Sequence, residues 1–180
     1  MKAKNKRLFD ELPESEYFKD YRTASKKFRK VAAFPDALGF DPESGGFIAV
    51  HRKHVDVALP DELPVCMILK KLGFGVVLLD EENARPPVDA LIEERYFELK
   101  RVSKARNIQG AIIRQFRLAY HKAENMILHI DQKAHPESIR SALFHGVKKY
   151  PRIKLVWLAY EGQLWQLPKA MILEGKYRLK

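Results

Sequence analysis

The chain has 180 residues, 46% of them hydrophobic, enough to bury one sizeable core, and this excludes collagen-like, mucin-like and fully disordered chains. Thirty-three Lys and Arg against 23 Asp and Glu leave a net charge of +10, which points to a polyanionic partner without separating nucleic acid from an anionic membrane. No run approaches the roughly 18 apolar residues of a membrane helix, and the basic start Met1 to Arg7 has no apolar stretch behind it, so a soluble, cytoplasmic protein is expected, any export depending on another route.

The first thirty residues carry ten Lys and Arg against five acids, in segments such as Lys26-Lys27-Phe28-Arg29-Lys30. They predict a basic arm or short helix, either a solvated face or an accessory phosphate-binding surface. Gly39 to Gly46 reads as a loop and Phe47 to Val50 as a short strand. Leu63 to Leu72, with Lys70 and Lys71 in its last turn and Gly73 just after, predicts a helix. It contains Cys66, the only cysteine, which excludes a disulfide framework and a cysteine-rich zinc module, fits a reducing compartment and is assigned no catalytic role.

Val76 to Leu79 reads as a buried strand, followed by a loop of acids and Pro86-Pro87. Val88 to Ile92 and Tyr96 to Val102 predict an antiparallel hairpin around Glu93-Glu94. A helix from about Ala105 to Glu124, a strand Met126 to Ile130 and a helix opened by Pro136 and ending near Lys149 come next. Lys154 to Tyr160 and Gln163 to Leu167 make a second hairpin around Glu161-Gly162. The sum is a single α/β domain with a mixed sheet and flanking helices: residues 1–55 a basic extension, 56–180 the main body.

Chemistry concentrates in the first hairpin. With a loop of two or four residues, paired positions sum to 187 and Asp89 lies opposite Glu98, where cross-strand Cβ atoms are about 4.5 to 5.5 Å apart. The strand period of two puts Lys100 on the face of Glu98, and Phe97, Leu99 and Arg101 on the other. Two converging carboxylates need a cation between them, and hard oxygen ligands suit Mg²⁺ or Mn²⁺. A solvated charged face is the alternative.

From Lys100 to Lys122 there are seven Lys and Arg (Lys100, Arg101, Lys104, Arg106, Arg114, Arg117 and Lys122) and no acid, a field that would attract a phosphodiester backbone. Gln115 falls inside the apolar arc of that helix, so its amide must find a partner: a water or substrate phosphate, or a backbone group. His51 and His54, at i and i+3, could hold a transition metal on a helix, but nothing nearby completes a zinc site. Surface or phosphate-contacting histidines are expected there. Trp157 and Trp165 are expected in core or cross-strand packing.

The runs Val88-Asp89-Ala90-Leu91-Ile92 and Tyr96-Phe97-Glu98-Leu99-Lys100, then a helix and the strand Asn125 to Ile130, resemble the PD-(D/E)xK nuclease core. In particular they are similar to the C-terminal tRNA-nuclease domain of contact-dependent growth-inhibition toxins, over roughly residues 60–167. Gly39 to His54 resembles a segment that accompanies such domains in proteins of phages and mobile elements. Val88 stands where the motif has proline, which sits one residue earlier at Pro87, and Glu93-Glu94 lacks the Asp-Gly or Asn-Gly of a tight turn.

The resemblance implies a restriction-endonuclease-like core and a metal-dependent nuclease acting on structured RNA such as tRNA. Asp89 and Glu98 would be metal ligands, Lys100 would position or activate the attacking water, and Gln115 would be the polar helix residue. Glu62 would be an additional acid from the preceding helix. Arg101, Lys104, Arg106, Arg114, Arg117 and Lys122 would contact nucleic acid, and an acidic immunity protein is a further expected partner if the protein is a toxin. A DNA endonuclease and a non-catalytic nucleic-acid-binding module are the alternatives.

Overall fold

A computed structural model of the chain describes residues 1–80, 83 and 87–179. The part of the expected loop that holds Pro86 lies outside the described residues. The chain divides into two compact units, Met1–Tyr96 and Phe97–Lys180, each with its own sheet and helices, a mixed α/β architecture in both.

The first unit opens with helix α1 (Lys2–Glu11), strand β1 (Tyr17–Phe18), the single turn α2 (Tyr21–Ala24), a 3-10 turn (Arg29–Ala33) and strand β2 (Gly39–Phe40). Asp20 caps α2, its carboxylate accepting from Thr23 N at 2.9 Å. The basic N-terminal segment is therefore structured. Buried Asn5 of α1 donates to Gly45 O and Gly73 O, joining that helix to two loops.

The centre of this unit is β3 (Phe47–His51), parallel to β4 (Gly75–Leu78), with helix α3 (Leu59–Lys71) connecting them. β1 and β2 pair antiparallel with the other edge of β3, and β5 (Ala90–Ile92) runs antiparallel to β4. Alternation divides the side chains. Phe47, Ala49 and Val77 form one core with Phe9, Leu12, Tyr17 and Phe40 packed on it. Gly75 lies directly opposite Phe47, and any Cβ there would collide with the Phe47 ring.

α3 begins four residues before its expected start. Pro60 sits in its first turn, where no N–H is needed, and Asp61 and Glu62 favour the positive helix end. After β5, Glu93 and Glu94 take φ of 46° and 64°, the conformation of a two-residue type I′ turn built without the usual Asn or Gly.

In the second unit, β6 (Arg95–Val102), β7 (Asn125–Ile130) and β8 (Leu155–Tyr160) are parallel, and β9 (Gln163–Pro168) closes the edge antiparallel. Helix α4 (Ile108–Tyr120) joins β6 to β7, α5 (Pro136–Lys149) joins β7 to β8, and α6 (Lys169–Glu174) follows β9. Asn107 caps α4 by accepting from Gly110 N, and Pro136 opens α5 at its first turn. Glu161 and Gly162, both at positive φ, make the tight turn between β8 and β9.

One face of this sheet, with Val102, Met126, Leu128, Val156 and Leu158, packs on Ile112 and Phe116 of α4 and Ile139 and Leu143 of α5. The helices meet so closely that a Cβ on Gly146 would lie 2.6 Å from the Phe116 ring. On the opposite face Trp157 is buried, its ring 4.8 Å from that of Phe97, which matches the expected core role.

Candidate functional site

In the second unit the site grows from the pleat of β6. Glu98 pairs with Met126 and Lys100 with Leu128, so both side chains point to the face that α4 and α5 cover. The Glu98 side chain is fully buried. Its Oε1 accepts from Lys100 Nζ at 2.6 Å and lies 3.2 Å from Lys122 Nζ, at the end of α4. Its Oε2 is buried and has no hydrogen-bond partner among the described residues. A buried carboxylate oxygen left unsatisfied costs more than the 1–3 kcal/mol of a neutral group, roughly, so this oxygen calls for a cation or a donor.

The other basic residues differ in how they are engaged. Lys104, Arg106, Arg114 and Arg117 are exposed. Arg101 points to the opposite face from Glu98, where its guanidinium pairs with Asp131 and holds that carboxyl below its ordinary range. Gln115 is half-buried on α4, and Lys122 lies two residues beyond the end of that helix.

In the first unit the acids Asp89 and Glu62 are buried. Asp89 is 3% exposed, and its carbonyl accepts from Leu79 N at 2.9 Å. Glu62, in the first turn of α3, is also buried. Burial first, and then the Glu62 and Asp89 carboxylates, push the Cys66 thiol well above its ordinary value, so both acids act on one side chain. A buried, high-pKa thiol is a poor nucleophile.

His54 corrects the sequence reading. It is buried, not surface-lying, and it follows β3 in a turn and not on a helix. Its Nδ1 lies 2.7 Å from Leu79 O and its Nε2 2.7 Å from Glu62 Oε2. The signal that could have found this pair is Glu62 itself: it lies in the same helical arc as Leu59, Leu63, Cys66 and Leu69, and an acid in an apolar arc must be paired. His51 keeps part of its expected exposure; it stacks edge-on against Tyr17, and burial lowers its pKa.

Among the described residues no three His, Cys, Asp or Glu side chains gather as a metal-holding group. Mg²⁺ keeps several waters and commonly takes only one or two carboxylates, so the donor chemistry at Glu98 still fits such an ion. No helix among the described residues is long and apolar enough to cross a membrane. No protein-family model, curated protein or solved structure matches the chain.

Proposed function

We propose that the chain is a divalent-metal-dependent nuclease with a PD-(D/E)xK-like core, hydrolysing phosphodiester bonds of structured RNA such as tRNA. The observation that carries this reading is the buried, unpartnered Oε2 of Glu98 beside two lysine ammonium groups. A hard cation with its waters would satisfy that oxygen.

In this reading Asp89 is the second ligand. Its place in this reading rests on the resemblance of Val88 to Ile92 to the motif's first strand. Glu62 is the additional acid. Bound Mg²⁺ or Mn²⁺ would polarise the scissile phosphate and lower the pKa of a coordinated water.

Lys100, tethered to Glu98, donates to the phosphate oxygens as negative charge develops on them, and Gln115 orients a water or a neighbouring phosphate. No covalent enzyme intermediate is required. The exposed Lys104, Arg106, Arg114 and Arg117, with Lys122, grip the backbone through charge. The preference for RNA rests on the resemblance to toxin tRNA nucleases. A toxin of this kind would act in the cytoplasm and be restrained by an acidic immunity protein covering the basic helix.

The test incubates the purified chain with tRNA, other RNA and DNA, in Mg²⁺ or Mn²⁺ and in chelator. Metal-dependent cleavage of tRNA supports the reading. Cleavage confined to DNA assigns a DNA endonuclease, and salt-sensitive binding without cleavage assigns a non-catalytic module.

A further inference from the structure

The buried pair His54–Glu62 has no part in the chemistry above. Its side chains are 0% and 6% exposed. The Leu79 carbonyl can only accept, so Nδ1 of His54 carries a hydrogen, and a single proton lies between Nε2 and Glu62 Oε2. The Glu62 carboxylate is thereby held by one oxygen in one orientation.

Leu79 does more than receive His54. Its N–H donates to the Asp89 carbonyl, so one residue at the end of β4 locates the imidazole on its carbonyl side and Asp89 on its amide side. Two acids on separate elements, α3 and the approach to β5, are registered against the same residue. Stability alone is a weak reason for such a pair, since an apolar pair of similar volume packs as well as a buried ion pair.

We infer that His54 is a positioning residue: by holding Oε2 of Glu62 it presents the other oxygen of that carboxylate to a divalent cation bound with Asp89. The inference rests on the metal-dependent reading above. Outer partners of this type fix ligand orientation, and their loss weakens metal binding by about 10- to 100-fold.

The test is a titration of Mn²⁺ alone into the full chain at fixed pH, followed by calorimetry and by the electron paramagnetic resonance of free Mn²⁺, with thermal unfolding recorded in parallel. Glutamine places its amide where Nε2 stood, and asparagine does not reach. His54→Asn should weaken Mn²⁺ binding about 10- to 100-fold, while His54→Gln, with a similar loss of thermal stability, stays near wild type. Glu62→Gln should weaken binding to the same extent, and adding His54→Asn to it should bring no further loss.

Equal effects of the two His54 substitutions, no effect of either, or unchanged affinity in Glu62→Gln would overturn the inference; the last decides it even where a His54 variant fails to fold. Asp89→Asn separates the two levels. If it abolishes binding and His54→Asn does not weaken it, only the positioning role falls. If wild type binds no Mn²⁺, or Asp89→Asn binds it unchanged, the metal-dependent reading falls and takes the positioning role with it.

Discussion

Lys122 Nζ lies 3.2 Å from the same Glu98 oxygen that Lys100 grips at 2.6 Å, so two ammonium groups share one carboxylate oxygen while the other oxygen is bare among the described residues. Removing the carboxylate charge takes from both lysines their Glu98 counter-charge, an effect partly screened by water because they are 18% and 39% exposed. Glu98→Gln is expected to lose about 1–3 kcal/mol in urea unfolding and to lose cleavage. Lys100→Ala is expected to lose cleavage with a smaller change in stability, because Lys122 still faces Glu98. Undiminished cleavage by Lys100→Ala would remove the proposed mechanism.

Gly146 and Phe116 set how closely α4 and α5 approach. A methyl group on Gly146 would sit 2.6 Å from the ring, which forces a shift costing about 1–3 kcal/mol, against a gain of about 1 kcal/mol in helix propensity. Gly146→Ala is expected to lower the melting temperature, and Gly146→Ala with Phe116→Leu to recover part of the loss relative to Phe116→Leu alone. An unchanged melting temperature in Gly146→Ala would show that the helices are not in contact there.

Much of this architecture was legible. Pro136 marks the start of α5, Gly162 the turn between β8 and β9, and the apolar spacing of α4 its buried stripe, because each is a local signal carried by the residues that use it. The missed features are those in which long-range packing outweighs local preference. α3 starts ahead of its apolar run and tolerates Pro64 inside it, and α6 follows directly on Pro168. The turn at Glu93-Glu94 reaches positive φ without glycine.

At the candidate site the pairing of Glu98 with Lys100 followed from strand period alone. The reach of Lys122 to Glu98 did not, since it depends on where the end of α4 meets β6. His54 looked like a surface residue because its partner, Glu62, comes eight positions later on another element.

Burial lowers the pKa of His129 from its ordinary 6.5, and neighbouring Asp131 offsets this only in part. The folded chain therefore binds this proton less readily than the unfolded chain. The contribution of His129 to stability is complete above pH of about 6.5 and is lost as pH falls from there through the depressed folded value. Burial shifts His51 the same way. Melting temperature should fall between pH 7 and 5, and His129→Gln should flatten that slope; an equal slope would contradict the assignment.

Cys66 is fully buried with its thiol pushed well up, so an aromatic disulfide reagent should label it only as fast as the chain unfolds. Rapid, stoichiometric labelling under native conditions would show that the first core is open.

A divalent cation held at the bare oxygen of Glu98 is tested most directly by the anomalous scattering of Mn²⁺ soaked into crystals of the chain. A peak within bonding distance of Oε2 of Glu98 is the expected result. No peak beside Glu98 at saturating Mn²⁺ would contradict the metal-dependent reading.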